Sequence, residues 1–368
     1  MRNLTNILAA SCLAGLLAGC AGTAEKAVFQ LSAGNDAGQD ASRIMFPPPS
    51  EEEIPRYVYI GQLVGETNFV VPEQKRDTLG GVFRWLAGLL SGPSRPTVLQ
   101  RPQAVVVDEA NDRILVSDIS RQAVFVFDEL EGSLSLWEKA AGQQNFVAPL
   151  GLALGENGEV YVSDPELGYV ARLDRGGNTL GTIGKDILQR PTGVAYDPVL
   201  HRLYVSDTRA SDIKIFEQDG TLAGTLGEHG EQSGELNRPT FLVLHNGALY
   251  VSDTMNARIQ VISAETGAPI ASIGERGQNI GNLVRPKGVG VDSEDNVYAV
   301  ESYHDHLLVY NSQGNFLMPI GGGTGQQIGQ YYLPSGLWVD SRNRIFLADT
   351  FNGRVVVFQF LGGSAENE

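Results

Sequence analysis

A proline that returns six times at nearly constant spacing constrains the fold of this chain more than any other feature. Successive prolines stand 42 to 48 residues apart, and an apolar stretch that often ends in Asp follows each of them. The six positions are Pro102, Pro149, Pro191, Pro239, Pro286 and Pro334. A period of this length indicates a repeat architecture in which each unit is one supersecondary element.

The units share a second pattern, which predicts four short strands in each. After the apolar stretch comes a strand that ends in Asp or Glu, as at Asp253, then an alternating strand, then a strand that ends in an apolar residue and glycine, as at Ile273 and Gly274. Helical periodicity is lacking in these units. Four short strands per unit of about 45 residues are typical of a propeller blade. The sequence therefore predicts an all-β fold, a six-bladed β-propeller.

The sixth unit lacks its fourth strand, because only a polar, glycine-containing tail follows Phe360 and Leu361. Residues 56–61, ahead of the first unit, match the missing pattern. Pairing them with residues 354–360 closes the ring and removes an exposed sheet edge. We therefore predict a propeller over residues 56–361 with an insertion at 72–98 and a polar tail at 362–368.

The first residues predict an exported protein. Arg2, a short apolar run and small residues form a secretory signal pattern over residues 1–19, and the run is too short for a comfortable membrane span. Leu17 to Cys20 resembles the lipobox of bacterial lipoproteins. That resemblance implies cleavage before Cys20, lipidation of Cys20 and a tether over residues 20–55. Ala21, in place of Asp, implies the outer membrane. The alternative is an ordinary signal peptide with a chance cysteine.

Composition excludes two further classes of protein. The formal net charge is −16, which disfavours nucleic acid as a partner because phosphate neutralisation needs an excess of Lys and Arg. The two cysteines both lie within the first twenty residues. The repeats therefore hold no disulfide framework and no cysteine-based zinc site.

The repeats resemble a known family. Arg-Pro-x-Gly-Val, Tyr-Val-Ser-Asp-Thr and residues 253–261 are similar to the NHL repeat over about residues 56–360, as in bacterial NHL-repeat lipoproteins. The resemblance implies that the first strand of each blade lines a central channel. It also implies that the loops before the first strand and after the second share the face that usually carries function.

The same resemblance offers a test for an enzyme. Amidating lyases with this propeller place zinc-binding histidines just after the blade prolines or on nearby loops. The residues that follow the six prolines here are Gln103, Leu150, Thr192, Thr240, Lys287 and Ser335. None is histidine, so we expect no cofactor, and enzymatic activity is unsupported.

Repeated charged residues on the functional face have two interpretations each. The acid that ends the second strand recurs in every blade, and a ring of carboxylates could bind Ca²⁺ or each could cap its own turn. We favour the capping role, in which each carboxylate accepts hydrogen bonds from backbone amides and from an arginine five residues later. The arginines before the prolines, Arg101, Arg190, Arg238 and Arg285, could clamp an anion, but pairing with those acids is the favoured interpretation.

Blade five departs from the repeat. Glu301, His304 and His306 replace the usual Asp-Thr-x-Asn-x-Arg pattern, and His304 and His306 have a spacing seen in metal sites. His229 lies in a loop predicted for the same face. We treat Glu301, His304 and His306 as a candidate metal site with His229 as a binding residue. The alternative is that these are solvated loop histidines.

The insertion carries apolar residues at helical spacing, among them Phe83, Leu86 and Leu90, with Trp85 beside them. It is either a short helix packed on the propeller or an element that binds a partner or a membrane through Phe83, Trp85 and Leu86.

The leading functional hypothesis is a lipid-anchored propeller of the bacterial cell envelope that acts as a non-enzymatic protein- or ligand-binding scaffold. Its expected partners are an envelope protein or complex and, through the lipid, the outer membrane, on its periplasmic or surface side. The alternative is a metal-assisted lyase or hydrolase around blade five. A third hypothesis is a purely structural subunit.

Overall fold

The computed structural model describes residues 26–34, 44–50, 53–71 and 96–362. Within them six antiparallel sheets surround a central channel. We letter the strands of each blade a to d, from the channel outward. The all-β, six-bladed fold predicted from the repeats is confirmed.

The strand bounds follow the repeat. Blade one has Pro102–Asp108, Arg113–Asp118, Ala123–Asp128 and Ser133–Trp137, and a hairpin of Lys139–Ala141 and Gln144–Asn145 follows it. Blade two has Leu152–Leu154, Val160–Asp164, Tyr169–Leu173 and Thr179–Ile183. Blade three has Pro191–Asp197, Arg202–Asp207, Asp212–Glu217 and Leu222–Leu226. Blade four has Pro239–His245, Ala248–Asp253, Arg258–Ser263 and Pro269–Ile273. Blade five has Pro286–Val291, Val297–Glu301, His306–Tyr310 and Phe316–Gly322. Blade six has Leu337–Val339, Arg344–Asp349, Arg354–Phe360 and Tyr57–Leu63.

Blade six is completed by the N-terminal strand. Tyr57–Leu63 runs antiparallel to Arg354–Phe360, with Leu63 opposite Val355 and Tyr57 opposite Phe360. The ring therefore closes as predicted, with a strand that starts one residue later and runs two residues further than the sequence pattern. Met45–Phe46 pairs with the outer side of this strand, so blade six has five strands.

Part of the segment expected to be a tether lies on the propeller. Val28–Phe29 pairs with Phe69–Val70, and the Phe29 ring lies 6.4 Å from that of Phe127 in blade one. The Ser32 amide donates to the Gln62 carbonyl at 2.9 Å. The tether predicted for residues 20–55 therefore contacts the propeller over part of its length, because Phe29 buries apolar surface there.

Neighbouring blades are joined by the hydroxyl groups of threonines that directly follow the aspartate at the end of strand b in blades three, four and six. Thr208 Oγ1 donates to the Pro239 carbonyl at 2.6 Å, Thr254 Oγ1 to Pro286 at 2.9 Å and Thr350 Oγ1 to Pro102 at 2.8 Å. Each contact ties one blade to the first strand of the next blade. These hydroxyl groups link three pairs of neighbouring blades, and clusters of buried apolar side chains pack between blades.

We define the upper face as the one that carries the loops before strands a and the turns after strands b. The turns after strands a lie on the lower face. Among the described residues no helix has the length and hydropathy needed to span a membrane.

Candidate functional site

The first strands of all six blades line a central cavity of about 290 Å³. Its wall is built from aliphatic and aromatic side chains, with Tyr196 and His245 toward the lower end. This agrees with the arrangement that the NHL resemblance implies. The wall is apolar and includes no Asp, Glu, Lys or Arg.

The channel is narrow at its upper end because neighbouring first strands come into backbone contact there. A Cβ atom on Gly193 would lie 2.5 Å from the Thr240 carbonyl oxygen, and one on Gly336 would lie 2.3 Å from that of Gln103. Only glycine fits these positions. Blade four carries Phe241 at the equivalent position, and both Phe241 and Trp338 pack in the same apolar cluster.

The acids that end strands b hold the loops of the upper face. Asp164 accepts the amides of Val147 and Ala148 on Oδ2 at 2.8 and 2.9 Å, and those of Glu166 and Leu167 on Oδ1 at 3.1 Å. Asp118 makes the same four contacts in blade one. The oxygens are therefore used by backbone amides, which is the capping role favoured above.

Two blades add an arginine to this cap. Arg354 Nε donates to Asp349 at 2.8 Å, and its other nitrogens donate to the carbonyls of Gln326 and Gln330 at 2.9 and 3.0 Å. Arg258 contacts Asp253 and the preceding loop in the same way. Burial raises the pKa of Asp349, and the Arg354 charge opposes that rise. Arg354 thus stabilises the ionised Asp349 and the loop together.

The four arginines before the prolines have exposed side chains. The expectation that their guanidinium groups pair with the capping acids is wrong. Within the described chain, the backbone amides of Arg101, Arg190 and Arg285 contact those acids instead. The Arg190 guanidinium lies 3.1 Å from Glu166, and Arg101 lies 5.1 Å above the Phe351 ring. Arg238 donates its amide to the Ser211 hydroxyl.

The candidate metal site of blade five is not assembled. Glu301 accepts the amides of Val284, Arg285 and Tyr303 at 2.6, 2.9 and 2.9 Å, so its carboxylate works as a cap. The His304 and His306 ring centroids lie 6.3 Å apart, and burial lowers the pKa of His306. The described residues contain no group of three His, Cys, Asp or Glu that could hold a metal ion.

The other three histidines lie away from this pair in the described chain. His229 is exposed, and no contact joins it to His304 or His306 in the described ranges. His201 and His245 lie on the lower face and contact Glu156 and Asp295 at 2.5 and 2.8 Å. Cys20, Phe83, Trp85 and Leu86 fall outside the described residues.

The structure shows a surface that the sequence did not single out. On the upper face, Tyr303, Tyr332, Leu333 and Phe351 are 58, 43, 36 and 45% exposed. We name these four residues with Arg101 the aromatic patch. The Tyr332 and Phe351 rings lie 5.2 Å apart, and the Leu333 amide donates to Asp305 of blade five at 2.7 Å. The sequence did contain a signal for this surface: the turns after strands b carry an aromatic residue in blades five and six, Tyr303 and Phe351.

Comparison with known proteins supports the architecture. No protein-family model matches the chain. Peptidyl-glycine alpha-amidating monooxygenase A of Xenopus laevis is 31% identical over 170 residues, which are 41% of this chain and 18% of that protein. The chain thus spans less than a fifth of that relative.

Two solved structures extend the comparison. An auxiliary nutrient binding protein from Bacteroides thetaiotaomicron is 12% identical, with a TM-score of 0.58 over 72% of this chain and 70% of its own. The virginiamycin B lyase of Staphylococcus aureus is 14% identical, with a TM-score of 0.53 over 71% of this chain and 96% of its own. One relative is an enzyme and the other a binding protein, so the likeness establishes the fold: the chain is a six-bladed β-propeller.

Proposed function

We propose that the protein is a lipid-anchored, non-enzymatic scaffold of the bacterial cell envelope that holds a protein partner on its upper face. The aromatic patch is the observation that carries this proposal. Tyrosine and arginine side chains that surround an apolar centre are the residues that most often dominate binding energy at protein interfaces. Phe351, with Arg101 above it and Tyr332 beside it, has that composition.

The use of the polar groups supports binding over catalysis. The carboxylates of the upper face are engaged by backbone amides, and the histidines of blade five are not joined by a third metal ligand among the described residues. A catalytic site needs groups that are poised to act on a substrate. The Bacteroides structure, described as a nutrient binding protein, also favours a binding role.

The proposed anchor would hold the propeller close to the membrane. The chain contacts the propeller from about residue 26, where Lys26 lies 3.6 Å from Glu131. The six residues from Cys20 to Lys26 span at most about 20 Å when extended. Lipidation of Cys20 would therefore place the rim near blades six and one beside the bilayer. The net charge of −16 disfavours nucleic acid as a partner, because phosphate neutralisation needs an excess of Lys and Arg.

The partner hypothesis is tested by cross-linking in the native envelope followed by mass spectrometry. Phe351→Asp should reduce the cross-linked partner by about tenfold or more, because hot-spot residues contribute about 2 kcal/mol or more. Val199→Asp is the matched control, since Val199 is 82% exposed in a lower-face turn. Equal recovery with the two variants would contradict the assignment of the aromatic patch.

The anchor is tested separately. Cys20→Ser should abolish labelling by a radioactive fatty acid and move the protein from the membrane fraction to the periplasmic fraction. Membrane association that survives this substitution would contradict anchoring through Cys20, while leaving the partner experiment unaffected.

A further inference from the structure

Lys287 differs from its five equivalents around the upper end of the channel. It is the second residue of strand a in blade five and is partly buried. The corresponding residues of the other blades are Gln103, Leu150, Thr192, Thr240 and Ser335. Lys287 is the one charged side chain in this ring of six.

The polar neighbours in this ring have hydrogen-bond partners, but among the described residues the Lys287 ammonium has none. Thr192 Oγ1 donates to the Thr240 carbonyl at 2.9 Å, and the Ser335 hydroxyl donates to Gln103 Oε1 at 3.3 Å. In residues 26–34, 44–50, 53–71 and 96–362, no hydrogen bond or ion pair joins Lys287 Nζ to another group. An ammonium that is partly withdrawn from water without a partner lacks compensation for its desolvation.

The charge closest to Lys287 further disfavours its ammonium form. The nearby charge that acts on Lys287 is that of Arg285, two residues earlier, and it has the same sign. Burial and the Arg285 charge both lower the pKa of Lys287. Glu301, the nearest capping acid along the repeat, is already bound by three amides. Within the part of the chain that the structure describes, no carboxylate forms an ion pair with Lys287 or Arg285, although the net charge of the protein is −16.

The apolar cavity begins next to this point. Val289 lies in the cavity wall and stands two residues after Lys287 on the same strand, which is about 7 Å along an extended chain. The cavity volume of about 290 Å³ corresponds to roughly ten water molecules at about 30 Å³ each. Lys287 and Arg285 are not part of the cavity wall, so a ligand that reaches both the two cations and the apolar cavity would lie across the upper end of the channel.

We propose that the upper end of the channel binds a small organic carboxylate, with its carboxylate held by Lys287 and Arg285 and its apolar body inside the channel. A charge-assisted hydrogen bond to the ammonium would supply the missing partner. The apolar walls would bury the remainder of the ligand, as in most small-molecule sites. This site shares no residue with the aromatic patch and needs neither the lipid anchor nor a protein partner.

The experiment compares two probes of the same shape, 4-phenylbutyrate and the neutral 4-phenylbutanol, by isothermal titration calorimetry on the full chain in detergent. The wild-type protein should bind the acid about tenfold or more tightly than the alcohol, because one charge-assisted hydrogen bond is about twice as strong as a neutral one. Acetate, which lacks the apolar body, should bind far more weakly than 4-phenylbutyrate. Equal affinity for the acid and the alcohol would overturn the proposal, and so would acetate that binds as tightly as the acid.

The variant Lys287→Met keeps the length and apolar stem of the side chain and removes its charge. It should lose the preference for the acid and keep the affinity for the alcohol, whereas Arg190→Met on the same face should change neither. A second measurement uses the wild-type protein alone: the pKa of Lys287, followed by NMR of ¹³C-dimethylated lysine, should rise when 4-phenylbutyrate binds, because a nearby anion favours the charged amine. Unchanged binding in Lys287→Met, or a Lys287 pKa that does not move, would refute the site.

Discussion

Replacement of Leu63 by alanine tests whether the N-terminal strand is part of the ring or an addition to it. Leu63 is fully buried and packs with Phe346 and Val355 of blade six. Removal of a buried leucine side chain costs about 2–5 kcal/mol, from lost transfer energy and the cavity left behind. Leu63 stands nearly 300 residues from its partner strand, so the full cost appears in global unfolding only if the closing strand unfolds together with the blades.

Ile60 provides a matched control on the same strand. It is 36% exposed and is the extra residue of a bulge, because Tyr59 pairs with Phe358 and Gly61 with Val357. Ile60→Ala should therefore change the free energy of unfolding by about 0.5 kcal/mol or less.

The assay is equilibrium urea unfolding, followed by tryptophan fluorescence and far-UV circular dichroism on the same samples. For Leu63→Ala both probes should show one transition, shifted to lower urea by the expected cost. Two results would refute the reasoning. One is an equal loss of unfolding free energy for Leu63→Ala and Ile60→Ala. The other is a separate transition at low urea that accounts for the whole loss of stability in Leu63→Ala, because the strand would then unfold independently of the ring.

Two further substitutions test the contacts that hold the upper face. Arg354→Met should cost about 3–5 kcal/mol, since it leaves the buried Asp349 without its cation, whereas Arg190→Met should cost about 0.5 kcal/mol or less in the same urea experiment. The folded-state pKa of Asp349 is already raised and should rise further without Arg354; because ionisation then costs stability as pH increases through that pKa, the deficit should be larger at about pH 7 than at about pH 4. Thr350→Val keeps the side-chain shape but leaves the Pro102 carbonyl without its donor, so thermal unfolding should show a loss of about 1–3 kcal/mol.

The repeating parts of the fold could be predicted because the same sequence pattern occurs in each of the six blades. Six prolines in register and the strand-ending acids give the strands, and the missing fourth strand of the last unit points to residues 56–61. The capping role of the acids also follows from repetition, since a group needed by every blade serves the blade. The structure bears this out at Asp118 and Asp164, where all four contacts are backbone amides.

The parts of the structure that could not be predicted depend on contacts that occur once and do not repeat from blade to blade. Val28 and Phe29 form an apolar patch too short to indicate a strand, and they pair with Phe69–Val70 only because the closing strand brings both segments to one edge. The pairing of the arginines was wrong for a related reason. The identity of residue 101 does not show whether its guanidinium or its backbone amide contacts the capping acid. In the structure the backbone amide of Arg101 donates to Asp118.

Function in a ring of equivalent blades is expected where equivalent positions differ. The second residue after each capping acid is Ser120, Glu166, Arg209, Met255, Tyr303 or Phe351, and no blade needs a particular side chain there to fold. The residue after each proline varies in the same way and includes Lys287. Both sets lie on the upper face, the first at the rim of the loops and the second at the channel. A ring of equivalent blades can therefore offer a large partner the aromatic patch and a small anion the upper end of the channel, because the side chains of Phe351 and Lys287 are not among those that hold the blades together by hydrogen bonds in the described residues.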